Sequence, residues 1–277
     1  MKGQGRLSVG PHPERAQQDA ELLLRHLLKT SRSWMLANLD TELLGTSWES
    51  YYDLLQRRYK GEPIQYILGE TEFYGLPFCV APGVLIPRPE TEHLVEKVLQ
   101  LAAEIPQRNL RIADIGTGSG AIAVALAHGL PEARIFATDL SLEALAIARK
   151  NAQCNQVAQR ITFLEGDLLA PLAGEQFQII ASNPPYVPLA DRDSLSVEVR
   201  EFEPHSALFA GDDGLEIYRR LIPGARELLA SGGWLALEIG YGQQAAITSL
   251  FDSARYREVD FVPDYQGIPR VACGRKD

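Results

Sequence analysis

Asp114-Ile115-Gly116-Thr117-Gly118-Ser119-Gly120 is the stretch on which the fold of this chain turns. It closes a short apolar segment, residues 110–115, and opens a run of small apolar residues, 121–128, at helical density. Glycines between a strand and a helix let the backbone turn sharply and approach a ligand with no Cβ in the way. Many nucleotide binders share such a turn. Two details narrow the choice. The spacing is G-x-G-x-G, so the third glycine is not placed for the pyrophosphate turn of G-x-G-x-x-G. A carboxylate, Asp114, also stands just ahead of the first glycine. It repels a pyrophosphate but attracts an ammonium or a sulfonium, which favours S-adenosylmethionine over NAD.

Outward from this stretch, strand and helix patterns alternate. Strands are predicted at 110–115, 134–138, 161–164, 177–182 and 234–238, with helices at 121–128, 142–152, 215–229 and 243–251. Two late strands follow near 257–261 and 270–273. Such alternation predicts an α/β fold, a doubly wound, mostly parallel sheet covered on both faces. Asp139 ends the second strand, 21 residues after Gly118, where a carboxylate can accept both hydroxyls of a ribose. Asp167 follows the third strand, placed to accept from an adenine amino group with Leu168 against the ring. Any one of these acids alone reads as a solvated turn residue. Three at the carboxyl ends of three successive strands mark the edge where open α/β sheets bind ligands.

Asn183-Pro184-Pro185-Tyr186 follows the fourth strand at that same edge. An amide or aryl amine nitrogen is a weak nucleophile, its lone pair delocalised into the π-system. A methyl donor needs that lone pair aimed along the S–CH3 axis. The Asn183 side-chain oxygen and the Pro184 carbonyl can each accept one N–H of an NH2 group, orienting the nitrogen and drawing electron density toward it. The prolines stiffen the loop, so alignment costs little at the moment of reaction. Tyr186 offers a flat face to a planar group. No general base is evident, and none is needed before transfer, because the methylated nitrogen becomes acidic once positively charged.

Ahead of residue 110 the character differs. Residues 14–60 read as short amphipathic helices, through Ala16, Ala20, Leu23, Leu24, Leu27 and Leu28, then Trp34, Leu36 and Leu39, then Trp48, Tyr51, Tyr52, Leu54 and Leu55. A small bundle over 1–63 is the natural packing. Residues 64–87 are β-formers punctuated by Gly69, Gly75, Pro77 and Pro82-Gly83, which predicts a β-hairpin linker. A catalytic domain over 88–277 follows, opened by Pro87-Arg88-Pro89-Glu90-Thr91-Glu92, with proline and acids at a helix start. Residues 1–80 carry nine basic and ten acidic side chains, whereas the remaining 197 carry 18 and 26. The acidic part is a poor grip for a phosphate backbone. Arg57, Arg58 and Lys60 form a tight basic cluster that reads as a solvated helix end. Cys79, Cys154 and Cys273 are scattered, and the five histidines are isolated, so no disulfide scaffold or metal site is expected. The opening residues carry no apolar signal, and no apolar run approaches a membrane span, so a cytoplasmic protein is expected.

Gly116–Gly120 together with Asn183–Tyr186 resembles class I methyltransferases acting on a planar NH2. Three further segments narrow the likeness: 61–69 (Gly-Glu-Pro-Ile-Gln-Tyr-Ile-Leu-Gly) with Phe73, 86–92 (Ile-Pro-Arg-Pro-Glu-Thr-Glu), and Phe202-Glu203-Pro204 followed by Ala207-Leu208. All five in this order resemble the HemK/PrmC family, the glutamine-N5 methyltransferases of peptide chain release factors, from about residue 14 to 273. The resemblance implies a helical N-terminal domain that docks a bacterial class 1 release factor, a hairpin linker and a Rossmann-like catalytic domain. It implies that the substrate is the glutamine of a Gly-Gly-Gln loop, with S-adenosylmethionine as donor and S-adenosylhomocysteine as product. Asp114, Gly116, Thr117, Gly118, Ser119, Gly120, Asp139, Asp167, Leu168 and Asn183 then bind the cofactor. Asn183 and Pro184 bind the glutamine amide, Pro185 and Tyr186 complete the loop, and Leu85 forms a wall of the pocket. Arg88 and Glu203 brace the site. The alternative is a nucleic-acid adenine-N6 or guanine-N2 methyltransferase, whose exocyclic NH2 makes the same demand on the loop. Such an enzyme must hold a polyanion and extract a base, which the acidic balance disfavours. A non-catalytic adaptor has no need of the Asn183–Tyr186 loop.

Overall fold

The computed structural model describes residues 2–38, 40–43, 45–107 and 109–277; of the predicted bundle residues, Leu39 lies outside these. The chain divides into two compact units, Met1–Glu70 with Leu195–Phe202, and Thr71–Ser194 with Glu203–Asp277.

The first unit holds α1 (Lys2–Leu7), α2 (Ala16–Leu28), α3 (Arg32–Ala37), α4 (Thr46–Tyr59), α5 (Ile64–Leu68) and α9 (Val197–Phe202). Leu7, Ala16, Ala20, Leu23, Tyr51, Leu55, Ile64 and Ile67 form its core. Residues 64–68 are helical, not the start of the hairpin expected there. Ile64 and Ile67 stand at helical spacing and are buried in that core, and Gly69 (φ +77°) ends the turn in the left-handed region. A five-residue run, apolar but for Gln65, does not reveal its period, so packing decides it. In the basic cluster Arg57 and Lys60 are exposed, as a solvated helix end requires, and only Arg58 differs from expectation. Arg58 is 2% exposed, its guanidinium bonded to Asp19 at 2.6 Å and to Glu198, while Arg57 pairs with Glu62.

The second unit opens with a hairpin of β1 (Glu70–Phe73) and β2 (Leu76–Cys79). Tyr74 and Gly75 join the strands, both with positive φ, as tight hairpin turns demand. A seven-stranded sheet follows, built of β3 (Arg111–Ile115), β4 (Arg134–Asp139), β5 (Ile161–Glu165), β6 (Phe177–Ser182), β7 (Leu229–Glu238), β8 (Arg257–Pro263) and β9 (Pro269–Arg275). Its order is β5-β4-β3-β6-β7-β9-β8, parallel from β5 through β7 and antiparallel at β9 and β8. Ile112 and Ala113 are both fully buried although they point to opposite faces, as expected of a sheet covered on both sides. On one face Ile112, Ile135 and Ile179 pack against α6 (Glu92–Glu104) and α7 (Ala121–Gly129). On the other, Ala113, Ile180 and Leu235 pack against α10 (Glu216–Leu228) and α11 (Gln244–Ser253). Between β4 and β5 runs α8 (Leu142–Cys154), capped by the Ser141 hydroxyl, which accepts from the Ala144 N–H at 3.1 Å.

The chain runs β3, β4, β5 in one direction, then returns to lay β6 on the other side of β3. That reversal leaves a crevice beyond the carboxyl ends of β3 and β6, where ligands of open α/β sheets bind.

Candidate active site

Ile115 and Ser182 are partners in the β3–β6 register, and the Ser182 hydroxyl donates to the Ile115 carbonyl at 2.6 Å. The glycine loop and the Asn183 loop therefore leave the sheet side by side, as the two lips of the crevice. Gly118 (φ +55°) has nothing within 4 Å of where a Cβ would stand. Gly120 (φ +82°) is different: its Cβ would lie 3.0 Å from the Cβ and 3.1 Å from the Cα of Ala148. The first glycine leaves room on the ligand side, and the second lets α8 approach.

Asp114 is fully buried. Its Oδ2 accepts from the Thr117 hydroxyl at 2.6 Å and the Ala123 N–H at 3.1 Å, and its Oδ1 has no partner. Burial raises its carboxyl pKa to about 7, against the pull of those two donors and with a push from Asp139. A buried carboxylate oxygen without a donor suits a cation, and the methionyl ammonium of S-adenosylmethionine fits it. The Asp139 oxygens accept from the Gly118 N–H at 2.8 Å and the Ser141 N–H at 2.9 Å, fixing the carboxylate at the loop while leaving a lone pair on each oxygen. Asp167 is exposed and paired with Arg220. Leu168 beside it holds φ +49°, its carbonyl accepting from the Thr138 hydroxyl at 2.9 Å. Asn151, buried in α8, bonds both backbone groups of Cys79 and the carbonyl of Ser119, tying hairpin to glycine loop.

In the Asn183–Tyr186 loop, Pro184 is buried and the other three residues are half-buried. The Asn183 Nδ2 donates to Thr91 Oγ1 at 3.0 Å, leaving Oδ1 as the acceptor. The Gln243 side-chain amide donates to the Tyr186 carbonyl at 3.0 Å and fixes the end of the loop. The Tyr186 hydroxyl lies 3.5 Å from Glu238 Oε1, and burial raises its pKa well beyond the usual tyrosine value. Arg88 Nη2 bonds both oxygens of the buried Glu203, at 2.6 and 2.7 Å. Leu85 is half-buried between buried Val84 and Ile86. Thr91, Glu238 and Gln243 were not anticipated from the sequence. Thr91 had a signal, since it sits inside the 86–92 segment.

A glycine loop beside an orphaned buried carboxylate, next to the Asn183 loop at a switch point, is an arrangement that suits a methyltransferase. The family model described as the methyltransferase small domain matches residues 92–199, and the PrmC N-terminal domain matches residues 8–69. The fold is shared with a methyltransferase from Pyrococcus furiosus, at 19% identity and TM-score 0.54 over 73% of this chain and 90% of that one. The release factor glutamine methyltransferase of Moorella thermoacetica is 46% identical over 93% of this chain and 90% of its own length. That of Escherichia coli K12 is 42% identical over 95% and 93%. This chain belongs to the release factor glutamine methyltransferase family.

Proposed function

We propose that the chain methylates the side-chain amide nitrogen (N5) of the glutamine in the Gly-Gly-Gln loop of bacterial class 1 release factors, modulating translation termination in the cytoplasm. The observation that carries the reading is the adjacency of the glycine loop and Asn183, one residue past a register pair of neighbouring strands. The Asp114 Oδ1 would hold the ammonium of S-adenosylmethionine, Asp139 the ribose hydroxyls, and the second oxygen of Asp167 with Leu168 the adenine. Bound there, that cofactor supplies an electrophilic methyl group on a sulfonium and is left as S-adenosylhomocysteine. Asn183 Oδ1 and the Pro184 carbonyl accept the two N–H bonds of the glutamine amide, which fixes the nitrogen and enriches it in electron density. Pro185 stiffens the loop, Tyr186 packs against the amide plane, and Leu85 walls the pocket. The helical unit is the docking module for the release factor. Arg58, in the middle of the basic cluster, lies buried between carboxylates and Arg57 is paired with Glu62, which reduces the basic surface the cluster offers to nucleic acid. No helix of the described residues is long and apolar enough to cross a membrane.

The test is incubation with labelled methyl donor and either purified release factor or its Gly-Gly-Gln variant with Gln→Ala. Label enters the parent factor alone. Label in both, or in neither while added RNA or DNA is labelled, overturns the reading.

A further inference from the structure

Asn183 presents a carboxamide whose oxygen and NH2 ends have nearly the same shape, so only hydrogen-bond partners decide which end faces the substrate. The wrong end would set an NH2 donor against the NH2 of the glutamine. The structure holds a device that selects the end. Thr91 Oγ1, 4% exposed at the start of α6, donates to Glu238 Oε2 at 2.6 Å and accepts from Asn183 Nδ2 at 3.0 Å. Glu238 stands at the end of β7, 2% exposed, one residue past the Ser182–Leu237 register pair. An ionised carboxylate only accepts, so the single hydroxyl proton of Thr91 is committed to it. Toward Asn183, Thr91 then has only a lone pair to offer, and Asn183 must turn its NH2 inward. Its oxygen is left for the substrate.

We infer that Thr91 and Glu238 are positioning residues that set the polarity of the Asn183 carboxamide, a role that rests on the substrate contact assigned to Asn183 above. Neither touches the reacting atoms. The direction of the chain depends on charge. A protonated Glu238 donates to Thr91, whose own proton then turns to Asn183 and favours the reversed carboxamide.

The surroundings set where this happens. Burial is the largest influence and raises the Glu238 pKa to about 7; the Thr91 hydroxyl pulls it down, Glu90 pushes it up, and Arg270 on β9 and the Tyr186 hydroxyl pull it down. From α10, the Tyr218 hydroxyl donates to the Glu238 backbone carbonyl at 2.7 Å, and its own pKa is driven far up. Arg88, itself paired with Glu203, acts on Tyr186. The carboxylate form is present above about pH 7 and is lost as pH falls through that value.

The test measures kcat on release factor between pH 5.5 and 8.5, with donor and factor both saturating so that cofactor affinity does not enter. The parent loses kcat on the acid side with a limiting slope of one proton below about pH 7. T91V keeps the volume but not the hydroxyl; kcat at pH 8 falls about 10- to 100-fold, KM and donor Kd stay within about twofold, and the acid limb disappears. T91S restores both rate and acid limb. E238Q keeps an acceptor for the Thr91 hydroxyl but has no proton to gain, so its acid limb disappears while it melts no lower than the parent, because a buried charge is replaced by a neutral group. If T91V folds poorly, the E238Q profile decides. Parental kcat with an unchanged acid limb in T91V or E238Q, beside a dead N183A, overturns the relay alone. Parental turnover in N183A instead overturns the contact on which the relay rests.

Discussion

At the scale of single residues, Asp114 makes the sharpest prediction. Its partnerless oxygen and raised pKa are two faces of one fact, the burial of a carboxylate with too few donors, and on the proposed binding mode that oxygen takes the donor's ammonium. An ammonium binds the ionised form, so the donor Kd falls about tenfold between pH 6 and 8 as Asp114 loses its proton. Calorimetry on the parent and on Asp114→Asn checks this, and the variant binds weakly with a flat profile. Without ligand, folding responds in the opposite sense. The native state keeps a proton that the unfolded chain releases above its pKa of 3.8, so stability declines as pH rises from there toward about 7. Asp114 and the Asn183 loop were legible in the sequence because each sits beside a local marker, glycines in one case and prolines in the other. Glu238 was not. It ends an apolar strand, and nothing in its neighbours reveals that Thr91, 147 positions away, donates to it.

At the scale of elements, the glycines of one loop separate into two kinds. Gly118→Ala meets open space and carries only the left-handed backbone cost, about 1–2 kcal/mol. On the proposed binding mode its methyl group stands where the ligand approaches, so donor affinity is lost while the fold persists. Gly120→Ala meets the backbone of α8 and costs about 2–4 kcal/mol in stability. Thermal melting read beside donor binding distinguishes them: Gly118→Ala is mainly a binding defect, Gly120→Ala mainly a melting defect. The strand–helix alternation of the catalytic half was readable because its apolar runs are bounded by turn residues. Residues 64–68 are helical where a hairpin linker is expected because β-formers such as Ile and Tyr go either way in so short a run, and the partners that settle the matter, Leu23 and Leu55, come from α2 and α4. The six-residue α1 left no signal either, with two glycines in its span.

At the scale of the whole molecule, the chain does not partition in sequence order. The segment Leu195–Phe202 belongs to the helical unit although catalytic-unit residues flank it. Arg58 secures it, buried between Asp19 of α2 and Glu198 of α9 and bonded to the Glu62 carbonyl at 3.0 Å. Removing the cation leaves Asp19, itself 3% exposed, without its partner. Arg58→Ala therefore destabilises the helical unit by about 3–5 kcal/mol. Urea unfolding separates the units optically, since Trp34 and Trp48 lie in the helical one and Trp234 in the sheet. The unfolding transition of the first pair moves to lower urea, and that of Trp234 stays.

The sequence by itself determined the class of fold, the two loops at the mouth of the sheet, and the acids that end three of its strands. Those are local properties: a period, a spacing, a glycine or proline whose backbone demands hold wherever it stands. Tertiary structure alone decided that Arg58 is interior rather than solvated, that Leu195–Phe202 joins the helices, and that Thr91 and Glu238 stand behind Asn183. Each of those depends on burial and on partners distant in the chain. Whether a charge is solvated or enclosed, and whether a hydroxyl donates or accepts, is fixed only when the chain has closed around it.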